Sequence, residues 1–469
     1  MTFAICWLTF LGQAVAGQVQ GPTTAPAFDP YEHVTVEIHP MAPPVPALKY
    51  RLLPEVSEQI DGNAATQYLL TFELMPPAMD FDEVFRLLDE PHFDKVKSAA
   101  IIENFSGKFH QAELASRMER CDWGLPLPDE GPTTLLPHIG HCRSFCLALA
   151  LQIRLDTAEG KYDDAVTHLR IGFSMAHRLT EQAVPIQGLV ATGLDAWLLQ
   201  RVAELQQAPG APNLYWALAN LPRTLVEQRP LVEIERSMFF ASFPELRGRR
   251  IEQLDDDDYR TFFRRMAALN QLVTGPTPVD VHRNSISSVE FAVSMVSVYE
   301  RAKSRLIKQG QTPEQIGQMP VQTILGSYLL SEYFEWSDDL DKWAGLPYWQ
   351  AREGMLRSTQ AMRERADLRN NPLLQLAFGV ESVSRELARV QRMEVEAQCI
   401  EALRAFAAAH GGKLPARLDE LVDTPVPLDP MTGKPLGYES HGASATLTSE
   451  PLPDEMKHPS GRITQIVVK

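Results

Sequence analysis

Two histidines and two cysteines fall close together at His138, His141, Cys142 and Cys146. These are the side chains that zinc takes, four at a time and tetrahedrally. The stretch that carries them reads as one helix, with Ile139, Cys142, Cys146, Leu149 and Ile153 recurring at steps of three and four. On that helix both cysteines belong to the apolar stripe, His138 can share their face, and His141 is turned aside. Four ligands from one short helix cannot surround an ion, so the pattern favours thiols over a metal centre, and no cofactor is expected. Two readings of the thiols stay open. Either they are buried and reduced, or Cys121 bonds to Cys142 or Cys146. A bond between Cys142 and Cys146 is opposed by a regular helix, which holds them too far apart along its face.

The other residues capable of chemistry reduce to structure. The run Asp255 to Asp258 lacks the glycine and the alternating spacing of a calcium loop. Carboxylates there suit the start of a helix, where they complement its dipole. His110, His168 and His177 have no nucleophile or acid near them in any known pattern. Ser327, within Gly326-Ser327-Tyr328, lacks a nucleophile-elbow frame. His410-Gly411-Gly412 is explained by the end of a helix. The sequence holds no phosphate loop, dinucleotide fingerprint, His-Glu-x-x-His or c-type haem motif. No residue is therefore assigned a catalytic role.

The elements that must position these residues are helices. After the first one, Ala158-Glu159-Gly160-Lys161 breaks the pattern. A second helix carries Tyr162, Ala165, Leu169, Gly172, Phe173 and Ala176, and its small residues let a neighbour approach closely. A third opens near Pro185, as a first-turn proline permits, and carries Ile186, Leu189, Leu194, Trp197, Leu198, Val202 and Leu205. The run Ala208 to Pro212 stops it, and Asn213 is placed to cap a short fourth helix from Leu214 to Leu221. A helical pair cannot bury its own apolar stripe, so stacked neighbours must do so. Gly160, Tyr162, Ala165 and Leu169 give this hairpin a resemblance to a tetratricopeptide-type repeat, with departures at Leu149, Ile153 and His177. The resemblance implies stacked hairpins with a concave surface that binds a protein or peptide partner. Tyr162, Trp197, Tyr215 and Trp216 are the candidate contributors to that surface, with the core as their alternative place.

At 469 residues the chain is too long for one simple core. Its formal net charge of −16, without a concentrated basic patch, argues against nucleic acid and anionic membrane surfaces as main partners. An apolar run beginning at Phe3 and closing on Ala14-Val15-Ala16 reads as a signal peptide over 1–16, although no Lys or Arg precedes it. The expectation is an exported chain, periplasmic or extracellular, with no membrane span after cleavage. Prolines mark 17–46 as a linker, within which His33 to His39 alternates like a single strand. Residues 47–222 form the helical-hairpin region, beginning with a helical Leu48 to Leu53 and including one helix from Ile101 to about Arg120. Residues 223–380 form a second helical region.

The last region, 381–469, begins with a long helix carrying Val390, Met393, Ala397, Ile400, Leu403 and Phe406, ended by Gly411-Gly412. A turn at Asp429-Pro430 and short strands near Leu436, Ala445 and Ile463 follow. With Gly412-Lys413-Leu414-Pro415, Leu418, Leu421, Asp429-Pro430 and Tyr438, this unit resembles the C-terminal half of the pseudopilins of type II secretion. The resemblance implies their fold, and no metal, because Ser449 to Pro459 does not supply their calcium loop. Through Asp122-Trp123-Gly124-Leu125 and the segment Pro209 to Leu218, the chain also resembles a family of uncharacterised exported bacterial proteins, which implies no activity. The fold expected is mainly α, with stacked helical hairpins, solenoid-like or bundled, and a small α+β C-terminal unit. The function expected is a binding scaffold; the alternatives are a cell-envelope hydrolase with a site assembled from distant residues, or an accessory part of a secretion or pilus-like assembly.

Overall fold

The computed structural model describes residues 29–75, 80–90, 92–105, 107–131, 134–181, 184–222, 228–274, 288–364, 371, 373–374, 380–452 and 459–469. The expected signal peptide and the first part of the linker lie outside them. In chain order the elements are β1 (Tyr31–Ile38), β2 (Ile60–Asn63), α1 (Ala64–Glu73), α2 (Phe81–Asp89), α3 (Lys95–Glu103), α4 (Lys108–Ser116), β3 (Met118–Arg120), α5 (Leu127–Glu130), α6 (Pro137–Glu159), α7 (Tyr162–Leu179), α8 (Pro185–Gln207) and α9 (Tyr215–Ala219). There follow α10 (Gln228–Ser242), α11 (Asp256–Thr274), α12 (Ser288–Lys308), α13 (Pro313–Gln318), α14 (Val321–Asp341), α15 (Tyr348–Glu364), α16 (Val380–Ala409), β4 (Gly437–Ser440), β5 (Ser444–Ser449) and β6 (Gly461–Val468). The protein is mainly helical, with a small sheet region. No described helix is long and apolar enough to cross a membrane.

The chain divides into two compact units. The larger comprises Thr24–Gly124, Leu136–Glu227 and Val383–Lys469. In it α6, α7 and α8 pack on one another, with α2 and α3 against α6 and α4 against α7. Gly172 of α7 makes the α7–α8 approach possible, because a Cβ there would lie 2.5 Å from Cδ2 of the buried Leu198. Two expectations are corrected. The single helix from Ile101 to Arg120 is two helices and a strand, since Gly107 adopts φ 77 and starts α4 afresh in a conformation that disfavours other residues. Residues 48–53 form turns rather than a helix, with Leu52 buried as an anchor.

The same unit contains a four-stranded sheet in the order β1-β6-β5-β4. β4, β5 and β6 are antiparallel neighbours, whereas β1 lies parallel to β6 from Tyr31 opposite Gly461 to Ile38 opposite Val468. The expected linker is thus in part an edge strand of the C-terminal sheet. Its alternation explains why: Val36 and Ile38 are buried against Val395, Cys399 and Leu403 of α16 and Leu447 and Ile466 of the sheet, while Glu37 points outward. The Asp429-Pro430 turn is held by a two-pronged ion pair, Arg392 Nη2 and Nε to the two carboxylate oxygens at 2.7 and 2.9 Å.

The smaller unit comprises Leu125–Leu135 and Gln228–Ser382 among its described parts. Its core is aromatic, with Phe239 stacked on Tyr333 at 4.5 Å and Phe243 against Phe262 at 5.0 Å. The aspartate run does local work here. Asp255 Oδ1 accepts the amide protons of Asp257 and Asp258 at 2.9 Å each, which caps α11.

One buried ion pair joins three distant segments of the larger unit. Arg404 and Glu401 of α16 are both fully buried, 2.9 Å apart. Arg404 also donates to the carbonyls of His39 at 3.1 Å, Ala211 at 2.7 Å and Pro212 at 3.2 Å. Asn213 donates to Met41 O and Glu401 O at 3.1 and 2.8 Å. Removing one member of such a pair strands the other charge, at a cost of about 3–5 kcal/mol. We expect Arg404→Met to lose about that much in a denaturant titration. Adding Glu401→Gln should return part of the loss, because the stranded charge is gone while the three carbonyls stay unpaired. An unchanged midpoint in Arg404→Met would show that the pair carries none of the joint.

Candidate functional site

The joint at Arg404 forms one side of a cleft. The segment leaving β1 supplies Met41, Ala42, Pro44, Val45, Lys49 and Tyr50; the α6–α7 turn supplies Gly160 to Asp164; and the segment after α8 supplies Gly210, Pro212 and Asn213. Its volume of about 550 Å³ lies within the range of ligand pockets. The sequence sets each wall. Gly160, at φ 74, ends α6, with its N–H bonded to Thr157 O at 3.2 Å and that of Lys161 to Asp156 O at 2.8 Å. That pair of bonds is the usual glycine helix ending, and it starts α7 only two residues later. The Tyr162 hydroxyl then donates to Pro209 O at 2.6 Å, tying the turn to the segment after α8. Asn213 Oδ1 accepts from the N–H of Tyr215 at 3.0 Å, as its capping position predicts.

The polar groups of the cleft form a short relay. Lys49 Nζ donates to the Tyr50 hydroxyl at 2.9 Å, and that hydroxyl donates to Asp163 Oδ1 at 2.8 Å. The same ammonium lies 4.6 Å from the centre of the Tyr50 ring and 4.0 Å from Asp163 Oδ1. The hydrogen bond to Tyr50 holds the Lys49 ammonium above its ordinary range, and burial pushes the Tyr50 phenol up, so both stay protonated. Lys161 is paired with Glu159 at 2.7 Å. Asp164, next to Asp163 in the first turn of α7, has no hydrogen bond or ion pair among the described residues.

Of the four aromatic residues expected at a binding surface, only Tyr162 lines the cleft. Trp197 is half-buried and meets Phe85 edge-on at 5.7 Å. Tyr215 is buried, with its hydroxyl on Pro425 O at 2.6 Å, and Trp216 packs edge-on against it at 5.0 Å. Tyr215 is thus internal, whereas Trp197 and Trp216 are half-buried and lie outside the cleft. Lys49, Tyr50, Asp163 and Asp164 went unnoticed in the sequence, where nothing brings residue 50 beside residue 163.

The cysteine and histidine cluster is dispersed into packing. Cys121, Cys142, Cys146 and Cys399 are free, buried thiols, so no bond joins Cys121 to either partner proposed for it. Burial pushes the Cys121 thiol up to about 12. His138 is stacked on Trp123 at 4.3 Å, and its Nε2 accepts from the Gln187 amide at 3.0 Å. Burial lowers its pKa to about 4, which keeps the ring neutral. His141 stacks on Phe72 at 5.6 Å. Among the described residues no three His, Cys, Asp or Glu side chains are grouped to hold a metal. His168, read as lacking an acidic partner, has one: its Nδ1 lies 2.8 Å from Asp156 Oδ2 across the α6–α7 hairpin. Asp156 also accepts from Gln152 at 2.6 Å, and its carbonyl closes the Gly160 turn, so the pair fastens the hairpin beneath the cleft.

Two more carboxylates were not singled out in the sequence. Asp195 of α8 and Glu394 of α16 lie buried near one another, and Asp195 Oδ1 has no partner among the described residues. Burial raises Glu394 to about 8; burial first, and Glu394 second, hold Asp195 well above the carboxylate range. Compared with known protein families, with curated proteins and with solved structures, the chain matches none.

A carboxyl with a raised folded pKa holds its proton more tightly when folded. Its contribution is therefore intact below the unfolded value of 4.5 and is lost as pH rises towards 8. We expect the unfolding free energy to fall by on the order of 3 kcal/mol from about pH 5 to about pH 8 on this account. Glu394→Gln should flatten that slope and stabilise the protein most at the alkaline end. Parallel slopes for parent and variant would contradict the assignment.

Proposed function

We propose that this is an exported helical-repeat protein that acts as a scaffold for a peptide or protein partner, taken up at the cleft between residues 41–50, the α6–α7 turn and residues 210–213. The observation that carries the reading is the make-up of that cleft. Its walls are turns and loop backbone, joined by the phenols of Tyr50 and Tyr162. Exposed backbone groups and rigid amphipathic rings suit recognition of an extended chain. The lining contains no histidine, cysteine, serine or threonine. The α6–α7 hairpin, with its Gly160, Tyr162 and Ala165, is also where the resemblance to tetratricopeptide repeats lies.

A second reading, an accessory part of a secretion or pilus-like assembly, draws on α16 followed by the antiparallel β4, β5 and β6. The parallel insertion of β1 at the edge of that sheet weakens it, because the extra strand comes from the opposite end of the chain.

Panning a displayed random-peptide library on the whole protein tests the first reading. We expect an enriched consensus whose peptides bind at least about 10-fold more weakly to Tyr162→Ala, in line with the loss of one aromatic contact residue. A library with no enrichment, or a consensus indifferent to Tyr162→Ala, would remove the cleft as the partner site.

A further inference from the structure

We propose that the cleft recognises an alkylammonium group, such as a lysine side chain in an extended peptide, and that Lys49 is its internal stand-in. The inference rests on the peptide-binding reading and names the chemistry that the same site selects. Lys49 shows what the seat accepts. Its ammonium sits 4.6 Å from the Tyr50 ring centre, 2.9 Å from the phenol oxygen and 4.0 Å from Asp163. A hydroxyl acceptor and a carboxylate beside one point are what a primary ammonium needs. Yet Lys49 is held at the surface, half exposed, by a flexible stem, and Asp163 is 76% exposed. Such a contact is weak and exchangeable.

Charge accounting points the same way. Of the two lysines in the lining, Lys161 is committed to Glu159 at 2.7 Å, and Lys49 is shared between Tyr50 and Asp163. Asp163 has only those neighbours, and Asp164 has no hydrogen bond or ion pair among the described residues, although its charge acts on Lys161. The charge least tightly held in the cleft is thus the Asp164 carboxylate. The α7 N-terminus would otherwise favour an anion, but Asp163 and Asp164 already occupy its first turn. The net charge of −16 adds a long-range field that draws cations. Beside the seat, Val45 is 94% exposed on the rim, where it offers apolar surface to the residues flanking an incoming lysine.

A basic ligand would displace the Lys49 ammonium and take over Tyr50 and Asp163, with Asp164 as a second counter-charge. Removing Lys49 should therefore strengthen binding, which is the opposite of what an anion site predicts.

The test uses ligand-observed NMR with the full chain and three probes: a capped Ala-Ala-Lys-Ala-Ala peptide, its norleucine counterpart, and putrescine. The lysine peptide should bind a few-fold more tightly than the norleucine peptide, the worth of an exposed ammonium–carboxylate contact. Asp163→Asn with Asp164→Asn should erase that difference, and Lys49→Met should tighten lysine binding several-fold. Putrescine binding as well as the lysine peptide would uphold the ammonium seat and identify a free amine as its source. Equal binding of the lysine and norleucine peptides would overturn the inference and leave the peptide-binding reading standing. Weaker binding in Lys49→Met, or no binding by any probe, would overturn the inference too, whereas the peptide reading falls only with the library experiment.

Discussion

The Arg404–Glu401 pair is where the larger unit is joined. An arginine with no exposure needs partners inside the protein, and here its three nitrogens find them in three parts of the chain: His39 after β1, Ala211 and Pro212 after α8, and Glu401 one turn back on its own helix. Burying an ion pair gains little over packing apolar groups, and its value lies in what it forbids. Arg404 is satisfied in one arrangement only, with the segment after β1 and the segment after α8 both drawn onto α16. The Asn213 amide repeats the requirement by bonding Met41 and Glu401 at once. The position of β1 beside β6 and the position of the 208–213 segment are thus parts of one constraint.

The cleft follows from that constraint. Its walls include Met41, Pro212 and Asn213, which the joint fixes, and the α6–α7 turn, which the Tyr162 hydroxyl fastens to Pro209. The acidic first turn of α7 then faces the Lys49–Tyr50 segment because both ends are held. His168 and Asp156 secure the hairpin from inside, so a histidine–carboxylate pair that resembles half of a catalytic apparatus is spent on architecture. The buried carboxylates of Asp195 and Glu394 hold their protons more tightly in the folded unit, so its stability is expected to depend on pH.

Much of the helical order could be read from the sequence, because apolar residues at steps of three and four and strong punctuation coincide there. Pro185 opens α8, Gly160 closes α6, and Asn213 bonds the first N–H of α9. The short C-terminal strands were legible for the same local reason. What failed was long-range. The alternation in His33 to His39 marked a strand, but its partner is more than 400 residues away, and no local pattern encodes a parallel pairing. Gly107 was lost inside an apolar rhythm that runs across it. In the site only Tyr162 was anticipated. Trp197, Tyr215 and Trp216 looked equally suited to a surface, and only packing distinguishes an aromatic that faces a cleft from one that fills a core.

The account's central claim is that ligand recognition belongs to this cleft and not to another face of the protein. Hydrogen–deuterium exchange of the full chain, with and without a saturating lysine-bearing peptide, tests it most directly. The account predicts slowed exchange concentrated in residues 41–50, 160–164 and 210–213, with the α10–α15 helices unchanged. Protection centred on those helices, or on the exposed faces of the sheet, would contradict it.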